Sequence, residues 1–230
     1  MARNSNHLVA RSKLTTVLAG VLATTLACGA CSSSTKSTTG SSGTTTAPTS
    51  ASAASGPIPN VNGQLLTLAD LPAGWSVDNS PDTSSSTPKC FQDAKDPTTN
   101  AKAKAKAKFQ GGSNGIPALE EGIAYLPGQA QKVMTEFAQV MSGCGQIKFT
   151  DSGHTFTGSI GQMSFPNLGQ QTEPYQVNLS TSASGLTLTL GLDLIAIRQG
   201  DEIALIYYGD LGTPDINQVQ QFAQKAISKV

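Results

Sequence analysis

The amino-acid sequence predicts an α+β domain in which a single antiparallel β-sheet is packed with two main α-helices. Seven segments are predicted to be strands, and the clearest of them places Leu186, Leu188, Leu190, Leu192 and Leu194 on one face with the two-residue period of a strand. Two other segments place apolar residues at helical spacing. Most of the segments between the strands are short, which favours antiparallel pairing, and helices beside such a sheet give the α+β class.

The first 27 residues have the pattern of a signal peptide. Arg3, Arg11 and Lys13 precede an uncharged run over residues 14–27, and this region contains no acid. As a helix the run would be about 21 Å long, shorter than the ~30 Å hydrocarbon core of a bilayer. We therefore expect residues 1–27 to direct export and not to span the membrane permanently.

A lipid-attachment site is predicted directly after the signal peptide. Thr25-Leu26-Ala27-Cys28 resembles a bacterial lipobox, in which the cysteine is acylated and becomes the mature N-terminus. Lipidation of Cys28 would hold the protein at the outer face of the cell membrane, in an extracytoplasmic location. Cys31 is a second candidate, and an ordinary secreted protein is the alternative.

A tether is predicted between the lipidated cysteine and the folded domain, so that residues 28–59 form one unit. Ser and Thr make up 16 of the 24 residues from 32 to 55, and large apolar residues are nearly absent. Such a composition cannot form a core and predicts a disordered spacer with a reach of about 30 Å. O-glycosylation of the tether is a second interpretation.

The folded domain is predicted to span residues 60–230. Thr67, three residues before Asp70, indicates a short helix that residues 72–74 end, and Trp75 then begins a strand. Amphipathic helices are predicted from Gly128 to Met141 with Gly143 as the C-terminal cap, and from Thr213 and Pro214, as cap and first turn, to Val230. The other strands are predicted at 102–110, 119–126, 146–150, 155–164, 175–182, 186–198 and 202–209.

The last two strands carry apolar residues on both faces. A face open to water would alternate, so these strands are predicted to be central, with a second layer over them. A helix is the favoured cover and a ligand cleft is the alternative. The residues that would line such a cleft are Asp193, Ile195, Ile197, Ala204, Ile206 and Tyr208.

Two cysteines lie inside the domain. In an oxidising compartment, Cys90 and Cys144 most simply form one disulfide. The alternative is a metal pair with His154, but a fourth ligand and the usual Cys-x-x-Cys spacing are missing. We therefore expect neither a metal nor a cofactor.

Four lysines alternate with alanines just before Phe109. On a strand, the lysines would line one face. They are Lys102, Lys104, Lys106 and Lys108. The favoured interpretation is a solvated edge strand whose charges prevent edge-to-edge pairing. The alternative is a contact with an anionic surface, such as acidic lipid headgroups.

The sequence predicts neither an enzyme nor a nucleic-acid-binding protein. His154 is the only histidine after the signal peptide, and the sequence contains neither a Gly-x-Ser-x-Gly elbow nor a phosphate-binding or His-Glu-x-x-His motif. Beyond residue 27, 12 basic residues face 15 acidic ones, a net charge of −3. A nucleic-acid-binding protein would carry a concentrated basic surface instead.

Residues 65–75, Leu-Leu-Thr-Leu-Ala-Asp-Leu-Pro-Ala-Gly-Trp, resemble the opening of the actinobacterial sensor-domain lipoproteins. These are similar to the extracellular domain of the mycobacterial serine/threonine kinase PknH. The positions of Cys90, Phe109, Cys144 and the Gly200-Asp201 turn fit the same order. The resemblance implies an antiparallel sheet with packed helices, a Cys90–Cys144 disulfide and a cleft for an unidentified ligand. The second disulfide of the kinase domain has no cysteines here.

These observations predict a cell-envelope lipoprotein with a non-catalytic, sensor-like domain that binds a small amphiphile or a cell-wall component. Its expected partners are the membrane, through the lipid anchor, and either a small ligand or an envelope protein. The alternative is a protein-interaction module without a ligand pocket. An enzyme is the least favoured interpretation, and it would require His154 to meet a carboxylate and a hydroxyl in a concave site.

Overall fold

The computed structural model describes residues 57–81, 88, 91, 98–112, 116–151, 153–183 and 185–230, with only the backbone of Ala183. The predicted signal peptide, Cys28, Cys31 and most of the tether lie outside these residues. The helices are α1 (Val61–Gln64), a 3-10 turn (Leu68–Asp70), α2 (Ala130–Gly143) and α3 (Ile216–Ile227). The strands are β1 (Trp75–Val77), β2 (Ala103–Gly111), β3 (Ala118–Tyr125), β4 (Gln146–Asp151), β5 (His154–Gln162), β6 (Gln171–Ala183), β7 (Leu186–Gln199) and β8 (Glu202–Leu211).

The eight strands form one antiparallel sheet in the order β1-β2-β3-β8-β7-β6-β5-β4. Strands β4 to β8 follow one another as a meander, and β8 returns to pair with β3. Helix α2 connects β3 to β4, which lies at the far edge of the sheet. The predicted α+β class, with two long helices on one antiparallel sheet, is confirmed, and the short α1 is additional.

The two faces of the sheet are covered by different helices. On one face, called the α2 face, Val133, Met134 and Met141 of α2 pack against apolar residues of β6, β7 and β8. On the other, called the α3 face, Val219 and Phe222 of α3 pack against β3, β7 and β8. The prediction that β7 and β8 are central and covered on both faces is therefore confirmed.

The predicted C-terminus of α2 and the predicted N-terminus of α3 differ from the structure. Gly143 is the last residue of α2, and Cys144 is the C-cap. Helix α3 is capped by Asp215, whose carboxylate accepts the Asn217 amide proton at 3.0 Å, so neither Thr213 nor Pro214 belongs to it. A short acceptor side chain in an extended backbone is the usual N-cap, and Asp215 provides one.

Candidate functional site

An apolar cavity lies on the α2 face, next to the end of α2. Its free volume is about 30 Å³, and almost all of its lining atoms are apolar. The lining residues are Pro88, Phe91, Ile147, Phe149, Ile160, Val177, Leu179, Leu190, Gly191, Leu192 and Leu194. An apolar space of this size is no larger than the share of one water molecule in the liquid, and apolar cavities stay dry.

The alternation of apolar residues in β4 to β7 builds this cavity. Val177 pairs with Leu192 and Leu179 with Leu190, so that four neighbouring side chains project to the same side of the sheet. Helix α2 ends at Gly143, before β4 begins, and Phe91 packs against the same cluster. The cavity thus lies between the sheet and an aromatic side chain from outside it.

Cys144 is buried at the end of α2 and is disulfide-bonded. Its expected partner, Cys90, lies outside the described residues, so the Cys90–Cys144 pairing stays a prediction. A disulfide-bonded sulfur cannot serve as a thiolate ligand, which removes Cys144 from the alternative metal set. Within the described ranges, no group of three or more His, Cys, Asp or Glu residues could hold a metal ion.

The six residues named as a possible cleft lining lie in the buried core on the α3 face of the sheet. None of them is more than 1 % exposed. Ile195, Ile197, Ile206 and Tyr208 share one core cluster with α3, and the Tyr208 hydroxyl donates to Gln218 Oε1 of the helix at 2.5 Å. The structure therefore places them in a closed core and not along an open cleft, because α3 occupies the space over the sheet.

Asp193 is the one carboxylate in that set, and its side chain is completely buried. Gln176 Nε2 donates to its Oδ1 atom at 3.2 Å, and Asn178 Nδ2 donates to Gln176 Oε1 at 3.4 Å. Burial raises the pKa of Asp193, and the hydrogen bond from Gln176 opposes the shift. A short amide chain thus links the exposed polar part of the sheet to a buried acid.

A second buried carboxylate, Glu121 of β3, holds the N-terminal segment on the α3 face. Its Oε2 atom accepts the Leu66 amide proton at 2.5 Å, and its side chain is 0 % exposed. Burial raises the pKa of Glu121 to about 7, against the opposing effects of the Leu66 hydrogen bond and the positive charge of Lys229. No motif singles out this residue in the sequence, although its position between Leu119 and Ile123 indicates an inward-facing side chain.

The residues that carried the family resemblance form one docked segment. Leu66 and Leu71 are buried in the core beneath α3. The Lys229 ammonium donates to the Leu65 carbonyl at 2.7 Å and to Asp70 Oδ2 at 2.6 Å. Lys229 therefore fastens this segment to the C-terminal end of the chain, and its hydrogen bond holds the pKa of Asp70 well below its usual range.

The four lysines lie on or beside β2 and face the same side of the sheet, as predicted. Lys104 is opposite Ala124, Lys106 is opposite Gly122 and Lys108 is opposite Glu120. Lys102 directly precedes the strand, and its amide donates to the Tyr125 carbonyl at 2.9 Å. Lys102, Lys104 and Lys106 are exposed, whereas Lys108 is half-buried and donates to the Ser80 carbonyl.

His154 lies at the start of β5, at the rim of a polar depression. The depression is lined by Gly153, His154, Thr155, Thr157, Ser180, Thr181 and Ser182. The backbone pairs His154 with Asp151. The hydroxyls of Thr157 and Ser180 lie 3.5 Å apart, but no described residue hydrogen-bonds to the imidazole. A catalytic triad needs a base that is hydrogen-bonded to its nucleophile, and the described contacts supply no such pair.

No helix in the described part of the chain is long and apolar enough to cross a membrane. No protein-family model matches the sequence, and no curated protein matches it. Among solved structures, the fold is similar to the extracellular domain of PknH from Mycobacterium tuberculosis. The TM-score is 0.54 at 15 % sequence identity, over 73 % of this chain and 93 % of that one. The chain therefore has a PknH-like extracellular-domain fold, as the resemblance of its opening segment implied.

Proposed function

We propose that this protein is a lipid-anchored, extracytoplasmic binding protein whose sensor-like, non-catalytic domain takes up a small amphiphile. The apolar cavity at the end of α2 carries the proposal. Almost all atoms that line the cavity are apolar, so the cavity suits an alkyl chain or ring and not a polar headgroup. The shared fold with an extracellular domain and the signal-peptide and lipobox sequence support the location.

The size of the cavity determines how a ligand would enter. About 30 Å³ accommodates no more than one small group, so the apolar part of a ligand has to displace a lining side chain. Strands β4 to β7 hold most of the lining in a hydrogen-bonded ladder. Phe91 is half-buried and comes from outside the sheet. The ligand therefore takes the place of the Phe91 ring, while its polar group stays in water.

Native mass spectrometry of the full chain, purified from its own envelope, tests the proposal. We expect a reproducible bound mass that organic extraction removes. In the Val177→Phe variant the added ring fills the cavity, and the bound fraction should fall at least tenfold. The Val77→Phe variant makes the same exchange at a side chain that is 45 % exposed and far from the cavity, and it should keep the bound mass.

An unfolding curve for each variant shows whether the fold is retained, and Val177→Leu replaces Val177→Phe if the larger ring prevents folding. Equal bound fractions in the Val177 and Val77 variants would rule out the cavity as the site. An empty wild-type domain that crosslinks to one stoichiometric envelope protein would support the protein-interaction alternative instead.

The anchor is tested separately. Replacing Cys28 with Ala removes the thiol that would carry the acyl chains, so the protein should move from the membrane fraction to the soluble fraction on cell lysis. The matched variant, Cys31→Ala, should stay with the membrane. Retention of Cys28→Ala at the membrane would contradict lipidation at this cysteine.

A further inference from the structure

The lysine strand β2 is where the N-terminal segment enters the domain. Val61 of α1 belongs to the same apolar cluster as Ala103 and Ala105, which project from β2 on the α3 face. Residues 57–60 directly precede α1, and the predicted tether ends there. The strand that carries the four lysines is therefore among the parts of the domain nearest to the predicted anchor.

The alanines fix the direction of the lysines. Ala103, Ala105 and Ala107 are half-buried against the α3-face core, so the alternating lysines have to project from the α2 face. Helix α2 makes its most extensive contacts with β5, β6 and β7, and no contact of comparable extent with β2 is described. At about 6.8 Å between alternate residues, the row from Lys102 to Lys108 is about 20 Å long.

The row concentrates positive charge in a domain that is acidic overall. Opposite Lys104 and Lys106 the neighbouring strand offers only Ala124 and Gly122, and the acid Glu120 is opposite Lys108 alone. Glu202, at the same end of the sheet, projects from the other face, where Gln64 hydrogen-bonds to it at 3.1 Å. Residues 57–230 carry 11 basic and 15 acidic residues, a net charge of −4. Four of the 11 basic residues lie in the seven-residue stretch 102–108.

We propose that the lysine row of β2 docks on the anionic headgroups of the membrane to which the chain is anchored. The proposal rests on the lipid anchor of the proposed function. A Ser/Thr-rich chain of residues 29–56 has a root-mean-square span of about 30 Å, comparable to the length of the row, so the anchor keeps β2 within reach of the bilayer. Lysines near an acidic membrane surface each gain attraction, whereas the rest of this acidic domain is repelled.

Vesicle binding by the unacylated chain tests the docking independently of the anchor. The chain without residues 1–27, with Cys28→Ala, is sedimented with vesicles of phosphatidylglycerol and phosphatidylcholine, and with phosphatidylcholine alone. We expect binding to the anionic vesicles only, and it should weaken as salt is added. The Lys102→Gln/Lys104→Gln variant should bind about 25-fold more weakly, at about fivefold per lysine.

The control variant, Lys132→Gln/Lys148→Gln, removes the same charge from two exposed lysines on α2 and β4, and it should bind like the wild type. Equal losses in the two double variants would show that only net charge matters and would overturn the proposal. Equal binding to neutral vesicles, or none to anionic ones, would overturn it as well. A failed anchor would appear instead as wild-type protein in the soluble fraction of cells.

Discussion

Glu121 and Asp193 are two buried carboxylates on the same face of the sheet. Each has one oxygen without a hydrogen-bond partner among the described residues. Charging such a group inside the core is costly, which is why burial raises the pKa of both. Asp70 lies near Glu121, but its pKa is lowered and not raised, because Lys229 and Lys225 stabilise its negative charge. The N-terminal segment therefore rests on one neutral and one charged acid at mildly acidic pH.

We expect the stability of the domain to fall as pH rises from about 4.5 to about 7. The folded state holds the Glu121 proton up to about pH 7, whereas the unfolded chain releases it near the ordinary value of 4.5. The stabilisation is complete below pH 4.5 and is lost as pH rises through 7, by about 3 kcal/mol at most. Asp193 contributes in the same direction. Asp70 acts in the opposite direction. It stabilises the domain above its ordinary pKa of 3.8, and this stabilisation is lost in stronger acid.

Urea unfolding at several pH values checks this prediction. The Glu121→Gln variant cannot ionise, yet its amide oxygen can still accept the Leu66 proton, so its stability should change less between pH 5 and pH 8. Glu136→Gln, at an exposed position of α2, should keep the wild-type dependence. Parallel curves for the Glu121 variant and the wild type would refute the assignment.

At the scale of the elements, the turn that leads into α3 presses closely against β7. A β-carbon added at Gly191 would lie 2.3 Å from Cδ of Pro214 and 2.4 Å from the carbonyl oxygen of Gly212. Only a glycine leaves room for this approach. The close contact holds the start of α3 over the buried Asp193 and Tyr208. The position of helix α3 on the sheet therefore depends on Gly191, a residue of the sheet itself.

Replacing Gly191 with Ala should lower the free energy of unfolding by about 1–3 kcal/mol, because the added methyl group forces the Pro214 turn away from the sheet. Gly161 provides a matched control. It also lies in a strand, β5, but an added β-carbon there would meet nothing within 4 Å. Chemical denaturation of the two variants measures the difference, and equal midpoints would contradict the close-packing argument.

The elements with strict alternation could be predicted from the sequence, and those set by distant contacts could not. The leucines of β7 and the Gly200-Asp201 turn predict a hairpin, which the structure has as Leu186–Gln199 and Glu202–Leu211. Strand β6 begins at Gln171, earlier than predicted, because it continues through Pro174 where β5 no longer pairs with it. The pairing of β3 with β8 joins distant segments, and no local pattern encodes it.

The candidate site was harder to predict than the fold. The cavity is lined by ordinary alternating residues such as Val177 and Leu192, which look the same in the sequence as any other core position. What makes a cavity of them is the packing of Pro88 and Phe91 over the sheet, and that is a property of the packed molecule. Glu121 carried a usable signal, since it occupies an inward position of an alternating strand.

At the scale of the whole molecule, the start of the folded domain packs against its last residues. Val61 and Val230 pack in one cluster, and Lys229 holds the Leu65 carbonyl. The docked segment is thus fastened at once to the sheet, through Glu121, and to the last residues of the chain. Undocking it would uncover the buried Leu66 and Leu71, so we expect the N-terminal segment and α3 to unfold together.

The order of the strands also sets the direction in which the cavity opens. Four strand-to-strand steps separate β2 from β6. Antiparallel sheets twist by about 20–25° at each step, so the α2 face turns through about 90° between the lysine row and the cavity. If the lysine row of β2 rests on the bilayer, the cavity opens parallel to the membrane surface. Its ligand would then arrive from the aqueous side of the envelope and not by lateral passage out of the leaflet.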